Sequence, residues 1–517
     1  MALLTFETAM RLLTQKKHQA VYDLAIEALR KNEKDPLAFF FLGIIASDHG
    51  QFEKALEFHA KASEHAPKNA RYQAFHAKAL MALGRTSEAK LRADTAAAFK
   101  TDDGFVADMI GSVYSRTGHH ALALPLFRRA VRLNPKWSVF HFNHAACAQF
   151  TGDVKTAKSA YKKAVSLKPN FYRAWFSLAS LETQTSDNNY LTKLESLFAK
   201  VGQDPDGRLF LGHAIAKTLE DLGRFPESLD WLEKAKAARK KRINYNRHNM
   251  TEMFAAATHA AQSRQRSQAH DVTPIFIVGL PRTGTTLVDR IVSSHAKVAS
   301  AGELDLFTQL VERETQIGRL NAEPFFSSAQ STDLQELGDI YAQQIAGLAE
   351  DATYLIDKTP MNFLYAGLIH QALPNARIIA LRRNAMDACL SNYRQLFALE
   401  DRRFDYAFDL EDTAAYYRAF DGLMSHWRQT LPDDRFMEVG YEDIIHDQEV
   451  QTRRLLDFCG LDWDPACLNF HENAAAVDTA SSVQVRQPLY SGSIGRWQKY
   501  DGKLDGLKAA VGALADQ

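Results

Sequence analysis

Short apolar runs recur through the second half of the chain, and the stretches between them have the spacing of helices. The runs are rich in β-branched and aromatic residues, which favours buried strands. They are IFIVG (275–279), TYLID (353–357), ARIIALR (376–382) and RFMEVG (435–440). Apolar strands separated by long helical connections predict a parallel sheet with helices on both faces, that is, an α/β domain.

The first half of the chain instead repeats with a period of 34 residues. A glycine marks each period, an alanine follows it five residues later, and proline recurs in a constant phase. The positions are Gly50, Gly84, Gly118 and Gly152, with Ala55, Ala89, Ala123 and Ala157, and Pro67, Pro135 and Pro169. Glycine permits a tight turn between helices, and alanine lets the two helices approach closely. This is the tetratricopeptide (TPR) signature, and it predicts an α-solenoid.

A diverged unit at 221–235 follows an irregular stretch at 183–190, which extends the predicted array. We expect roughly five to seven helical hairpins over 1–245, a linker at 246–270 and the α/β domain at 271–517. Stacked hairpins form a concave surface that suits an extended peptide, although a scaffold without a binding role is the competing interpretation. The basic run within 240–248 is interpreted as a helix end or linker with a solvated face.

The composition of the chain limits the functions and compartments that we expect for this protein. At 517 residues the chain exceeds one ordinary core, which fits two domains. Lys plus Arg and Asp plus Glu are equal at 62 each, so neither nucleic-acid nor membrane-surface binding is expected. The four cysteines have no metal or disulfide spacing, which fits free thiols in a reducing compartment. With no secretory signal and no run of roughly 20 apolar residues, we expect a cytoplasmic protein.

The candidate chemistry centres on 274–290, PIFIVGLPRTGTTLVDR. A strand leads through a glycine-bounded loop into a helix, whose unpaired first-turn amides and dipole favour an anion. The spacing of Gly279 and Gly284 is that of a phosphate-binding loop, but Thr285 stands where a nucleotide hydrolase has lysine. The cation of the loop is Arg282 instead. This argues against ATP or GTP hydrolysis and for a different anion.

Other chemically competent residues follow the remaining predicted strands. Lys358 ends the second strand, Arg383 the third and Tyr441 the fourth. Ligands of such sheets lie at the carboxyl ends of the strands. We therefore expect these residues and Arg282 to converge on one edge of the sheet.

The stretch PRTGTTL resembles the 5′-phosphosulfate loop of sulfotransferases that use the donor 3′-phosphoadenylyl sulfate (PAPS), and in particular that of the tyrosylprotein sulfotransferases. The resemblance covers about 270–500, whereas the repeats have no counterpart in the animal enzymes. It implies that the domain binds PAPS and releases 3′,5′-ADP. The loop residues implied to bind the donor are Pro281, Arg282, Thr283, Gly284, Thr285 and Thr286.

Glu303 lies 21 residues after Arg282, the spacing of the general base in the tyrosylprotein enzymes, so the resemblance implies that role. His295 is the rival base, because cytosolic sulfotransferases use histidine, but its setting resembles a structural element at a helix end. Lys358 resembles the lysine that contacts the sulfuryl group and the bridging oxygen. A simple ion pair of Lys358 with Asp357 is the alternative.

The segment 381–395, LRRNAMDACLSNYRQ, resembles the 3′-phosphate-binding segment of the family. Arg383 and Ser391 keep its eight-residue interval, and an arginine fork with a hydroxyl fits a terminal phosphate. A further arginine of the family falls on Gln395, one position after Arg394. Whether Arg394 takes that place stays open at the level of the sequence.

The stretch 481–497, SSVQVRQPLYSGSIGRW, resembles the loop that closes over the donor. Ser482 then matches a serine at the reactive end of the donor, Arg496 matches a lysine that contacts phosphate, and Tyr441 matches a tyrosine that helps to hold the adenosine. The catalytic residues implied by the resemblance are Glu303, Arg282, Lys358 and Ser482. Every donor-site candidate follows Pro274, so the α/β domain alone is expected to bind the donor.

These features predict a TPR array fused to a PAPS-dependent sulfotransferase that needs no metal. The favoured acceptor is a tyrosine of a peptide or protein held on the concave face of the array, and a homodimer is a further option. A glycan, a lipid or a small metabolite is the alternative acceptor. Two other functions compete: a small-molecule kinase, which would need the missing loop lysine and Mg²⁺ ligands, and a scaffold that binds a nucleotide without turnover.

Overall fold

The computed structural model describes residues 3–516 except 100, 260–271, 350–351, 474, 476–483 and 501. The chain divides into two compact units, Met1–Leu181 and Glu182–Gln517. Residues 182–245, which the sequence assigned to the repeat array, thus belong to the same unit as the sheet. The reason is packing, because apolar side chains from this stretch enter the hydrophobic core beneath the sheet.

The first unit is a series of helical hairpins. Its helices are α1 (Phe6–Thr14), α2 (His18–Lys31), α3 (Pro36–Asp48), α4 (Phe52–His65), α5 (Ala70–Ala82), α6 (Thr86–Ala97), α7 (Gly104–Arg116), α8 (His120–Leu133), α9 (Ser138–Phe150), α10 (Val154–Leu167) and α11 (Tyr172–Ser180). The four periodic glycines lie in the turns with φ of 70° to 85°, a region that glycine enters without a Cβ clash. The four periodic alanines are fully buried between helices. These features confirm the predicted TPR array.

The second unit opens with helices α12 (Leu191–Lys200), α13 (Pro205–Asp221), α14 (Phe225–Lys240) and α15 (Arg247–His259). A further hairpin is formed by α13 and α14, with Gly223 at its turn in the left-handed region (φ 77°). The predicted linker at 246–270 is helical in its first part, because Met250 and Phe254 of α15 pack into the core. Its last part, from 260, lies outside the described residues.

The basic run at 240–248 is not simply a solvated face. Lys240 forms an ion pair with Asp409, and Arg247 forms one with Asp412. Both acidic residues lie at the start of a later helix, where negative charge also stabilises the helix dipole. The run therefore docks α14 and α15 onto the rest of the unit.

Five strands in the described part of the chain form one parallel sheet in the order β2-β3-β1-β4-β5. They are β1 (Thr273–Gly279), β2 (Val298–Ser300), β3 (Tyr354–Asp357), β4 (Arg377–Arg382) and β5 (Phe436–Gly440). In the central register Ile275 of β1 lies between Ile356 of β3 and Arg377 of β4. The four predicted strands are confirmed, whereas the edge strand β2 is too short for its sequence to predict it.

Helices and short 3₁₀ turns cover both faces of the sheet. The helices are α16 (Thr285–Val292), α17 (Leu306–Thr315), α18 (Ala322–Ala329), α19 (Leu334–Ala346), α20 (Ala366–Ala372), α21 (Ala385–Arg394), α22 (Leu410–Thr430), α23 (Tyr441–His446), α24 (Gln448–Cys459) and α25 (Asp505–Val511). Side chains of β1 alternate between two cores, with Phe276 and Val278 in one and Ile275 and Ile277 in the other. This arrangement confirms the predicted α/β fold.

Three further features concern the cysteines, the possibility of a membrane-spanning helix and the possibility of a metal site. All four cysteines are buried and free of disulfides, as their spacing predicted. Within the described ranges, no helix is both long enough and apolar enough to span a membrane. Those ranges also contain no group of three or more His, Cys, Asp or Glu residues arranged to hold a metal ion.

Candidate active site

The anion-loop candidate joins β1 to α16 at the carboxyl edge of the sheet. Arg282 (φ 68°) and Gly284 (φ 107°) both have left-handed backbone, which is strained for arginine. A Cβ on Gly284 would come within 2.7 Å of the ring of Tyr441, so a larger residue would collide with it. The Asn392 side-chain amide donates to the Pro281 carbonyl oxygen at 2.8 Å. The loop is thus held in one shape, with the first-turn amides of α16 at its end.

A cavity of about 350 Å³ opens beside this loop. Its walls come from the loop, the turn after β2, α21, the start of α23 and the C-terminal segment 485–496. The predicted site residues that line it are Pro281, Arg282, Gly284, Thr285, Thr286, Glu303, Arg383, Ser391, Tyr441 and Arg496. They converge because parallel strands present their carboxyl ends at one edge.

Two predicted site residues, Thr283 and Lys358, do not line the cavity, and a third, Ser482, is not described. The Thr283 hydroxyl is buried and donates to the Leu280 carbonyl oxygen at 2.7 Å, so this side chain maintains the loop. Lys358 lies behind Glu303 and reaches it through Nζ. Ser482 lies outside the described residues.

Glu303 and Lys358 form an ion pair at the cavity wall. The Lys358 side chain is 1% exposed and the Glu303 side chain 50% exposed. The Lys358 amide donates to the Gly302 carbonyl oxygen at 2.8 Å, which ties the end of β3 to the turn that carries Glu303. A half-exposed carboxylate is therefore backed by a buried cation.

The turn that carries Glu303 is braced from its other side by Asp305. The Asp305 carboxylate accepts hydrogen bonds from Arg319 at 2.5 Å and from Arg403 at 3.2 Å. Asp305 itself has left-handed backbone (φ 52°), a conformation that aspartate tolerates better than most residues. The carboxylate of Glu303 thus projects from a turn with little freedom to move.

Asp357 does not take the place of Glu303 as the partner of Lys358. Its carboxylate accepts hydrogen bonds from the hydroxyls of Thr359 at 2.6 Å and Tyr341 at 2.9 Å. Burial raises the pKa of Asp357 to about 6. The alternative ion pair between Lys358 and Asp357 is therefore not formed, and Lys358 pairs with Glu303 instead.

His295 is buried away from the cavity lining. Its Nδ1 accepts from the Lys297 amide at 3.1 Å, which leaves Nε2 to donate to the Asp462 carbonyl oxygen at 3.1 Å. Both ring nitrogens are occupied by backbone groups. This geometry suits a structural histidine, the interpretation that its sequence setting favoured.

Arginines dominate the charge around the cavity. Burial, followed by the charges of Arg383 and Arg394, lowers the pKa of Arg282 to about 10. Arg383 donates from Nη1 to the Arg282 carbonyl oxygen at 2.9 Å and from Nη2 to the Ser493 carbonyl oxygen at 2.6 Å. Its buried Nε has no hydrogen-bond partner among the described residues. A gathering of cations with an unsatisfied donor is unfavourable by itself and suits an anionic ligand.

Arg394, and not Gln395, lines the cavity. The helix α21 ends at Arg394, and the backbone of Gln395 is already extended. Arg394 and Ser391 are three residues apart and therefore lie on one face of the helix. Arg394 is thus the residue in position to serve as the further arginine of this segment.

The structure adds residues that the sequence did not single out. Asp387 accepts from the Gly495 amide at 2.6 Å and the Trp497 amide at 3.0 Å, which anchors the C-terminal segment to α21. Phe397 and Phe404 line the cavity and stack with their centroids 4.4 Å apart. Asp387 lies inside the segment 381–395 and could have been noticed there, whereas nothing in the sequence spacing marks the two phenylalanines.

A further unpredicted residue, Glu220, comes from α13. Its carboxylate pairs with both Arg394 and Arg496. No signal in the sequence marks it, because it lies in a stretch with the pattern of a helical repeat. The donor-site candidates named from the sequence all follow Pro274, whereas this partner of two arginines in the cavity lining precedes it.

Comparison with known proteins agrees with this architecture. Residues 274–465 match the model of the sulfotransferase family, and residues 107–136 and 140–171 match the tetratricopeptide repeat. The chain therefore carries TPR repeats followed by a domain of the sulfotransferase family. Within that class, it is distantly homologous to the protein-tyrosine sulfotransferases.

The individual similarities are modest in identity. An uncharacterized protein of Aquifex aeolicus (strain VF5) is 29% identical over 361 residues, covering 68% of this chain and 47% of that protein. Protein-tyrosine sulfotransferase A of Caenorhabditis elegans is 24% identical over 243 residues, covering 43% of this chain and 60% of that protein. The solved sulfotransferase domain from the Synechococcus PCC 7002 olefin synthase is 21% identical with a TM-score of 0.36, covering 49% of this chain and 98% of that domain. The chain spans about half the length of the curated relatives it matches.

Proposed function

We propose that this protein transfers the sulfuryl group of PAPS to a hydroxyl group of an acceptor. The observation that supports this most directly is that the anion loop, the Glu303–Lys358 pair and several arginines meet at one cavity. The backbone amides of 284–286 suit the 5′-phosphosulfate, because they stand at the N-terminus of α16. Arg383, with its unpaired Nε, suits the 3′-phosphate together with Ser391.

The transfer proceeds in line between two oxygens. A bond forms between the acceptor oxygen and sulfur while the bond from sulfur to the bridging oxygen breaks, and 3′,5′-ADP leaves. Glu303 takes the proton of the acceptor hydroxyl. Arg282 stabilises the negative charge that develops on the leaving phosphate. Lys358 holds the Glu303 carboxylate from behind, and its positive charge is left uncompensated at the cavity wall once Glu303 has gained the proton.

We assign the acceptor as a tyrosine of a peptide or protein. The stacked rings of Phe397 and Phe404, with Met361 nearby, give the cavity an apolar wall that fits a phenol ring. The TPR repeats suggest a surface for peptide or protein binding. A glycan, a lipid or a small metabolite is the competing acceptor class.

Two measurements on the full chain test this function. The first is isothermal titration with 3′,5′-ADP and with ATP, where we expect 3′,5′-ADP to bind at least roughly 10-fold more tightly. A preference for ATP would point to a kinase. The second uses labelled PAPS with a tyrosine peptide and a matched phenylalanine peptide, and label should enter only the former. Donor binding without any release of sulfate would mean a scaffold, and labelling of glycans or lipids in a cell lysate, with none in protein, would overturn the tyrosine assignment.

A further inference from the structure

A carboxylate from a helical hairpin reaches the wall of the donor cavity. Glu220 lies near the end of α13, and its side chain is 4% exposed. Its Oε1 accepts from the Tyr500 hydroxyl at 2.7 Å, and its Oε2 accepts from Nη2 of Arg496 at 2.8 Å. Arg394 binds both oxygens through Nε and Nη2, in the two-point geometry that makes arginine–carboxylate pairs strong.

The groups in this network come from three separate parts of the chain. Glu220 is on α13, Arg394 ends α21, and Arg496 and Tyr500 belong to the 3₁₀ turn near the C-terminus. Both arginines line the cavity, whereas Glu220 does not. The carboxylate thus stands behind the two cations and holds them from the side away from the cavity lining.

The charge of Glu220 is what allows the two arginines to lie together. Burial would raise the pKa of Glu220, but the charges of Arg394 and Arg496 outweigh it and hold that pKa below its ordinary value. Arg394 and Arg496 both bind Oε2 of Glu220. Without this carboxylate the two guanidinium groups would repel each other, and we expect their side chains to move apart.

One carboxylate cannot neutralise two guanidinium groups. A net positive charge is left at the cavity wall, and the buried Nε of Arg496 has no hydrogen-bond partner among the described residues. A phosphate dianion has the charge and the acceptor oxygens to complete this group. Since the loop 281–286 accommodates one phosphate, the arginine pair is placed for a second one.

We propose that Glu220 is a positioning residue of the donor site, which fixes Arg394 and Arg496 to bind the donor phosphate that the loop does not hold. This inference rests on the proposed function, because PAPS and 3′,5′-ADP carry that second phosphate on the ribose. The hairpin of α13 and α14, which the sequence predicts as part of the repeat array, then contributes to the function of the transferase domain.

The test is Glu220→Gln in the full chain, with titration of 3′,5′-ADP and of 5′-AMP. The variant should weaken 3′,5′-ADP roughly 10-fold and 5′-AMP less than about twofold, because only the former carries the second phosphate. Glu220→Asp keeps the charge but shortens the reach, so its loss should be intermediate. A residue that merely stabilises the fold would weaken both ligands equally, and that outcome would overturn the proposal.

Asp221 provides a matched control on the next position of the same helix. Its carboxylate accepts from Lys217 at 2.6 Å and from the Gln184 amide at 2.7 Å, outside the cavity lining. Asp221→Asn should leave both affinities unchanged, and thermal unfolding of each variant checks the fold. If Glu220→Gln does not fold, Arg394→Lys keeps the charge but loses the two-point contact, and it should show the same selective loss.

The remaining outcomes separate this inference from the proposed function. Tighter binding of 3′,5′-ADP by Glu220→Gln would show that the carboxylate competes with the phosphate, which overturns a positioning role. Unchanged binding would overturn it as well, while the proposed function would stand. A wild-type chain that does not bind 3′,5′-ADP would overturn the proposed function, and this inference with it.

Discussion

Two groups of residues that line the cavity are built in different ways. One group is the loop 281–286, a run of consecutive residues in which Arg282 and Gly284 have left-handed backbone. The other group is the arginine pair, Arg394 and Arg496, held by Glu220 from a distant part of the chain. The members of the loop are neighbours in sequence, although distant side chains brace it, whereas the arginine pair meets its carboxylate only once the hairpin has packed.

This difference separates chemistry from donor selection. We propose Glu303 and Lys358, the ion pair at the cavity wall, as the reacting groups, so changes there should act on the rate of transfer. The arginine pair should act on donor affinity and on the discrimination of ligands by their second phosphate. We therefore expect variants in the two groups to respond independently.

Glu303→Gln should lower the rate of sulfuryl transfer roughly 10²–10⁴-fold, the usual range for a positioned base. The amide is nearly the same size but cannot accept the acceptor's proton. Affinity for 3′,5′-ADP should hardly change, because Glu303 pairs with Lys358, whereas Arg394 and Arg496 pair with Glu220. Single-turnover kinetics and titration on the same preparation measure the two effects.

The comparison variant is His295→Asn, which should leave the rate of transfer near that of the wild type if the protein folds, because both ring nitrogens bond to backbone. Glu303→Gln with near wild-type turnover would place the base elsewhere. A loss of donor affinity as large as the loss of rate would show that Glu303 contributes to donor binding as well as to the chemical step, which would contradict the proposed division.

Arg383→Ala should weaken 3′,5′-ADP about 10- to 100-fold, since a lost charge-assisted contact is worth roughly 1.5–3 kcal/mol. Adenosine 5′-phosphosulfate, which lacks the 3′-phosphate, should respond much less. Arg383 also donates to the carbonyl oxygens of Arg282 and Ser493. Equal losses of affinity for both ligands would therefore mean that Arg383 supports the loop and does not bind the 3′-phosphate.

The parts of this molecule that could be predicted from the sequence are those in which neighbouring residues determine the structure. The 34-residue period predicted the hairpins, because each glycine turn recurs at a fixed interval. The apolar run at 275–278 predicted the central strand, because burial on both faces requires such a run. The loop that follows this strand was predicted from its own consecutive residues. The edge of the sheet at which the candidates meet was predicted because parallel strands present their carboxyl ends together.

The parts that could not be predicted depend on contacts between distant segments. The strand β2 has three residues and no pattern of its own, so its pairing with β3 alone defines it. Glu220 looks like any helix carboxylate until Arg394 and Arg496 are brought to it. Thr283 and Thr285 are neighbours in one motif, yet the first maintains the loop while the second lines the cavity.

Tyr441→Phe should weaken 3′,5′-ADP by only about 2- to 10-fold, the worth of one neutral hydrogen bond. The Tyr441 hydroxyl and the Ser493 hydroxyl lie 2.6 Å apart, and this bond holds the C-terminal segment against the cavity. The ring, which contacts the guanidinium of Arg383 at 4.8 Å, remains in the variant. Titration of Tyr441→Phe, Ser493→Ala and the double variant measures the effect, and additive losses would show that the two hydroxyls act separately.

The smallest change in donor binding is expected when residues 1–181 are removed. Residues Glu182–Gln517 form a compact unit that contains Glu220 and the whole lining of the cavity. A chain that begins at 182 should therefore fold and bind 3′,5′-ADP within about twofold of the full chain. With saturating PAPS it should also sulfate a small phenol at the full-length rate, while its kcat/KM for a long peptide acceptor should fall if the repeats bind that peptide.

A chain that begins near 265 is the informative contrast, because it also lacks α13, α14 and α15. It loses Glu220 together with Leu229, Leu232 and Phe254 of the hydrophobic core, so it should bind 3′,5′-ADP far more weakly or fail to fold. Equal donor binding by the two shortened chains would show that the hairpin contributes nothing to the site. If the chain from 182 were as active as the full chain on the peptide acceptor, the repeats of the first unit would serve another purpose than holding it.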